Sequence, residues 1–144
     1  MEYEIDKRLP EEMNVLSGRV IEAAIAVHKA LGPGLLENVY EACLAYELAN
    51  RKIPFEVQKA IPVTYNDVKL DVGFRVDILV GGVLVVELKA VDGFNPVHMA
   101  QVITYLKLTG CPLGLLINFN VPLLKQGVKR VVLTDEGSGE EVDR

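Results

Sequence analysis

The chain is poor in the side chains that most often mark a function. Its 144 residues include two cysteines, Cys43 and Cys111, two histidines, and two serines, Ser17 and Ser138. The cysteines stand far apart and form no CxxC pair, which excludes a disulfide scaffold and a zinc ribbon. No serine lies near a histidine and no G-x-S-x-G occurs, so serine-based acyl transfer has no nucleophile. There is no G-x4-G-K-[ST], hence no nucleotide-triphosphate motor. Gly32-x-Gly34-x-x-Glu37 lacks the third glycine of a dinucleotide loop and joins two helices rather than a strand and a helix. Positive charge is also short: 15 Lys and Arg against 20 Asp and Glu, a net charge of −5. Proteins held to nucleic acid by phosphate neutralisation are usually basic, so a histone-like coating role is disfavoured. A net acidic chain can still carry a local basic groove, or a carboxylate cluster that a metal makes hospitable to phosphate. Long apolar runs are missing. The longest, residues 78–86, contains two glycines, and a bilayer span needs about 20 residues. The N-terminal MEYEIDKRLPEEM is charged and has no apolar core, unlike a signal peptide. We expect a soluble protein of the reducing, cytoplasmic compartment, with no membrane partner.

What is present is ordinary globular composition, 50% hydrophobic and 24% charged. The length predicts a single domain over 1–144, with its core at 11–133 and a mobile acidic tail at 134–144. Leu16, Val20, Ile21, Ala24, Val27 and Leu31 recur at three- and four-residue steps, which predicts a helix over 11–31 stopped by Gly32-Pro33-Gly34. A second helix is expected over 35–51, burying Val39, Cys43, Leu44 and Leu48. Residues 54–65 alternate and are rich in β-formers, and Asn66-Asp67 is a turn signal. Two further strands, 70–80 and 83–91, are split by Gly81-Gly82. Asn95-Pro96 reads as an N-cap with proline at the first helical position, opening a helix that ends at Gly110. Residues 112–119, PLGLLINF, form a strand apolar on both faces, and 128–133 a last strand. The order α-α-β-β-β-α-β-(β) predicts an α/β (α+β) fold with a mixed β-sheet flanked by helices.

The informative stretch is VGFRVDILVGGVLVVELKAV, residues 72–91. Alternation with period two puts Val72, Phe74, Val76, Ile78 and Val80 on one face of the first strand, and Gly73, Arg75, Asp77 and Leu79 on the other. On the second strand Leu84, Val86, Leu88 and Ala90 share a face opposite Val85, Glu87 and Lys89. A two-residue turn at Gly81-Gly82 would pair Asp77 with Val86 and turn Glu87 to the other face. A three-residue turn, 81–83, pairs Val80 with Leu84 and Asp77 with Glu87, and glycine supplies the left-handed residue it needs. Burying Glu87 and Lys89 in an apolar layer would cost several kcal/mol each, so we expect the three-residue turn or an equivalent bulge. Two carboxylates at roughly 5 Å repel, and one pKa rises unless a cation lies between them. Mg²⁺ takes one or two carboxylates plus waters and substrate phosphate, and a nearby lysine can orient metal-bound water or balance charge. On pattern alone a structural ion-pair network is the stronger reading of the group.

D-x9-E-x-K in a β-hairpin after N-terminal helices resembles the PD-(D/E)xK nuclease superfamily. Gly34-Leu35-Leu36-Glu37-Asn38-Val39-Tyr40, a G-x-x-E-x-x-Y, sharpens the resemblance. So do Glu87-Leu88-Lys89-Ala90, Pro96-Val97-His98, Gln101-x3-Tyr105-Leu106 and Gly114-Leu115-Leu116-Ile117-Asn118-Phe119. Over residues 15–132 the chain is similar to the GxxExxY family within that superfamily. One departure is Val76, where the superfamily's name motif has proline. The resemblance implies a restriction-endonuclease-like core and a divalent-metal phosphodiesterase site using Mg²⁺, with Mn²⁺ able to substitute. Carried over, Asp77, Glu87 and the backbone carbonyl of Leu88 are metal ligands. Lys89 positions the attacking water. Glu37 binds metal directly or through water, and Gln101 and Tyr105 support the site or the DNA. The implied activity is hydrolysis of phosphodiester bonds in DNA, less readily RNA, by metal-activated water. The alternative is a catalytically weak or inactive nucleic-acid- or protein-binding module on the same fold; a homodimer or a protein partner is expected to be compatible with either.

The remaining polar residues carry competing structural readings. Glu37 and Tyr40 lie three apart on one helix face, where a glutamate near the helix start also suits the macrodipole. His98, Gln101 and Tyr105 share a face at i, i+3, i+7. Arg75 shares the face of Asp77, either as a salt-bridge partner or as a phosphate contact. Tyr40, His98, Tyr105 and Arg75 are thus the candidate substrate contacts. Gln58 is a further candidate for the same cleft. His28 reads as a helix histidine, and Cys43 and Cys111 as core thiols.

Overall fold

In a computed structural model, which describes residues 9–133 and 139–142, the first apolar stripe forms α1 (Glu11–Leu31), with Glu11 and Glu12 in its first turn and His28 and Lys29 in its last. Both charge placements suit the helix dipole. Gly32, at φ 71°, ends it, and α2 (Glu37–Asn50) returns against it. Five strands follow: β1 (Phe55–Ala60), β2 (Val63–Tyr65), β3 (Val68–Leu70), β4 (Arg75–Val80) and β5 (Leu84–Lys89). Next come α3 (Pro96–Thr109), β6 (Leu113–Asn118), a 3-10 turn at Leu124–Gly127, β7 (Val128–Leu133) and β8 (Gly139–Val142). The sheet order is β1-β4-β5-β6-β7-β8, and only the β5–β6 pair is parallel, bridged by α3.

The mixed α+β sheet is flanked on both faces. Ile78, Val80, Leu84, Val86, Leu88, Leu115 and Ile117 pack with Val20, Ile21 and Ala24 of α1 and Tyr40, Leu44 and Leu48 of α2. Val85, Leu116 and Val131 pack with Val102, Tyr105 and Leu106 of α3. All six residues of β6 are buried, as its apolar run predicts. Gly114 on that strand lets α3 lie close: a Cβ there would stand 2.6 Å from Val102 Cγ1. Asn95 caps α3 as expected, its side chain accepting from the Val97 N–H, and Gly110 closes the helix in the left-handed conformation.

Three details differ from the sequence reading. The stretch 54–65 is not one strand but β1 and β2, and 70–80 divides into the end of β3 and β4. Among the described residues the pieces β2 and β3 pair only with each other, through a turn in which Asn66 and Asp67 both have positive φ. Within the acidic tail, Gly139–Val142 forms a strand that the sequence reading did not include. There β8 pairs antiparallel with β7 and Lys129 meets Glu141 at 3.0 Å; the open edge of β7 offers unpaired backbone groups, and β8 satisfies them. Residues 134–138, 143 and 144 of that tail lie outside the described ones. Strict alternation along 72–80 also fails. Val76 packs on the α3 side whereas Ile78 and Val80 pack on the side of α1 and α2.

Candidate metal and phosphodiester site

The β4–β5 turn has the expected three-residue register. Val80 pairs with Leu84, Leu79 with Val85 and Ile78 with Val86, and Gly81 and Gly82 both take positive φ. One step further, Asp77 and Glu87 come opposite each other, and their side chains take over the cross-strand bonding. The Asp77 N–H donates to Glu87 Oε1 at 3.0 Å, and the Leu88 N–H donates to Asp77 Oδ2 at 2.8 Å. On the other edge of β4 the pairing with β1 runs Val57 to Ile78 and Lys59 to Val76, skipping Gln58 and Asp77. The alternation fault in β4 therefore falls at Asp77, as at a bulge beside a site.

Glu87 is 4% exposed. Burial, and then the charge of Asp77, push its carboxyl up to about 8, against smaller opposing effects of the Asp77 backbone bond and Lys89. The three-residue turn brings Glu87 opposite Asp77 but does not keep it in water. Lys89, half-buried, donates from Nζ to Gln101 Oε1 of α3 at 3.3 Å. The chain just beyond β5 is clamped by Asn118, which accepts from the Val91 N–H through Oδ1 and donates to the Val91 carbonyl through Nδ2. Asn118 was missed in the sequence, although a buried asparagine closing an apolar strand is a usable signal.

The other candidates separate. Tyr105 is buried in the α3-side cluster, edge-on to Phe74. Burial raises its hydroxyl pKa, and the charges of Glu87 and Asp77 add to the rise, so it borders the carboxylates. Phe74, Val97, Ala100, Gln101, Thr104 and Tyr105 line a shallow apolar groove of about 220 Å³ beside them. Arg75 is exposed one residue before Val76. His98 is occupied at the α3 cap, where its Nδ1 accepts from the Asn95 N–H. Tyr40 is corrected as a substrate contact. It is fully buried and stacked on Phe119 at 4.4 Å; its hydroxyl donates to the Gly32 carbonyl and accepts from the Leu35 N–H. It holds the α1–α2 turn and has no surface left for a ligand.

Glu37 is exposed at the start of α2, and its described electrostatic effect is on Glu41, one turn along. Glu41 is the α2 carboxylate tied toward β4. Gln58 Nε2 donates to Glu41 Oε2 at 2.7 Å and to Asp77 Oδ1 at 3.3 Å. Burial raises the Glu41 pKa, the Gln58 bond opposes the rise, and Asp77 and Glu37 add to it. The i, i+4 spacing from Glu37 was the available signal for Glu41. His28 is a packed helix histidine, its Nε2 2.8 Å from the Val121 carbonyl, and both cysteines are free.

The donor set suits a hard divalent cation. Asp77 and Glu87 offer oxygen at one point, with Glu87 held above its ordinary pKa first by burial and then by the like charge of Asp77, a condition a cation relieves. Among the described residues no group of three or more His, Cys, Asp or Glu is placed to hold a metal, so two carboxylates would need water or backbone oxygen to complete the shell, as Mg²⁺ commonly accepts. Among the same residues no helix is long and apolar enough to cross a membrane. No curated protein and no solved structure gives a significant match. A family model of the PD-(D/E)XK nuclease superfamily matches residues 14–131, a span that contains the whole carboxylate–lysine site. By its sequence across that span, and by the mixed sheet that carries Asp77, Glu87 and Lys89, this chain belongs to the PD-(D/E)XK nuclease superfamily.

Proposed function

We propose that this protein is a Mg²⁺-dependent nuclease of the GxxExxY type that hydrolyses phosphodiester bonds, in DNA rather than RNA, within the cytoplasm. The observation that carries the reading is the reciprocal Asp77–Glu87 pairing, with Lys89 held beside it by Gln101. Asp77, Glu87 and the Leu88 carbonyl would hold the cation, and Glu37, one turn before Glu41 at the start of α2, would act through water. A bound cation would lower the pKa of a coordinated water and offset charge developing on the phosphate. Lys89 would orient such a water, and Gln101 keeps its ammonium in place. Arg75, exposed at the start of β4, contacts a phosphate of the strand. Tyr105 backs the carboxylates with a low-dielectric wall, which strengthens the electrostatics within.

The test is cleavage of labelled single- and double-stranded DNA and of RNA with Mg²⁺, Mn²⁺ or EDTA, beside Lys89→Ala and Asp77→Asn. Metal-dependent cutting abolished by both substitutions is the expected result. Folded protein that neither cuts any substrate nor binds metal in calorimetry would replace this reading with a binding module on the nuclease fold.

A further inference from the structure

Among the described residues four that are not glycine have positive φ: Lys52, Gln58, Asn66 and Asp67. Lys52 lies in the turn after α2, and Asn66 and Asp67 make the β2–β3 turn. Gln58 alone of these four lies inside a strand, at φ 50°, and it is neither Asn nor Asp, the side chains that tolerate this region best. Nothing about the run of β1 requires it, since the pairing with β4 resumes in the same register on both sides. The departure does have one consequence. The Gln58 amide reaches both Glu41 Oε2 on α2 and Asp77 Oδ1 on β4. Unfavourable backbone held in place by its surroundings is a known feature of sites that need a side chain aimed.

We propose that Gln58 is a positioning residue of the carboxylate site: its strained backbone aims an amide that ties Glu41 to Asp77, so that the charge of Glu41 acts on the cation bound there. The inference rests on the reading that Asp77 and Glu87 hold a divalent cation. Gln58 itself contributes no ligand. It fixes the orientation of one first ligand, Asp77, and the approach of α2, as hydrogen-bond partners behind metal ligands commonly do. Glu41 is thereby the α2 carboxylate coupled to the site.

The test uses the full chain with Mn²⁺ as probe. Calorimetric affinity is measured for wild type, Gln58→Gly, Glu41→Gln, the double variant and Asp77→Asn, with metal-free Tm for each. Glycine takes positive φ freely, so Gln58→Gly is expected to unfold within about 4 °C of wild type or above it, yet to bind Mn²⁺ about tenfold more weakly. The double variant is expected to bind more tightly than the product of the two single losses would give, because Gln58 and Glu41 act in one hydrogen-bonded chain to Asp77. Unchanged affinity in Gln58→Gly, or losses that multiply in the double variant, would overturn the proposal. So would a large loss of Tm in both Gln58→Gly and Gln58→Asn, which would make the residue a structural support. Wild type that binds Mn²⁺ and loses it in Asp77→Asn, with Gln58→Gly unaltered, sinks the Gln58 role alone. Wild type that binds no Mn²⁺ sinks the metal reading and this role with it.

Discussion

Glu87 is the residue whose chemistry is most altered by its place in the fold. Its carboxyl is raised from 4.5 to about 8 by burial and by Asp77. Between those values the folded protein binds a proton that the unfolded chain does not, so the stability it brings is fully present below about pH 4.5 and is lost as pH rises through about 8. Thermal unfolding of the metal-free protein should therefore show Tm falling from pH 5 to 8, and Glu87→Gln should flatten that slope. Cation binding must displace the same proton, so Mg²⁺ affinity in calorimetry should climb over the same interval. Lys89→Ala is expected to lower kcat by about 10²–10⁴-fold, the range for a group that handles a proton or its water. Tyr40→Phe removes a hydroxyl that serves Gly32 and Leu35 and leaves both backbone groups without it; denaturant unfolding should register a loss of about 1–3 kcal/mol. The pair Asp77 and Glu87 was legible in the sequence because strand alternation and turn length are local rules. Tyr40 was misread because a helix face shows which residues are neighbours, not which of them the rest of the chain covers.

At the scale of elements, α1, α3 and β7 have the bounds that the sequence predicts, because their start and stop signals are strong and nearby: Gly32 after α1, Asn95-Pro96 and Gly110 around α3. The division of 54–65 and 70–80 into four short strands was not legible. A detached hairpin and a strand interrupted at Gln58 share the same β-forming residues as a continuous strand, and only the sheet partners distinguish them. The contact between α3 and β6 offers a direct check. Gly114→Ala would set a methyl group 2.6 Å from Val102 Cγ1. Overpacking of this kind costs about 1–3 kcal/mol, and it should lower Tm and, through α3, loosen the Gln101–Lys89 bond, read as a further drop in kcat.

For the whole molecule, a cation held by Asp77 and Glu87 would link folding to function. A ligand that binds only the folded state stabilises it by about 2.7 kcal/mol at a hundredfold excess over Kd. Saturating Mg²⁺ should therefore raise Tm of wild type, and the rise should vanish in Asp77→Asn; an equal rise in both would remove the carboxylate pair from the binding site. Hydrophobic periodicity, glycine and proline punctuation and a three-residue turn were enough, from sequence alone, to define two opening helices, a mixed sheet, a crossover helix and an Asp–Glu pair across one hairpin. These are short-range consequences of period and backbone geometry. Only the tertiary structure decided that Glu87 is buried, that Gln58 departs from strand geometry, that Glu41 rather than Glu37 is tied to Asp77, and that 139–142 pairs with β7. Each depends on which distant segments share a surface, and burial, desolvation and hydrogen-bond partners across the chain exist only once that surface has formed.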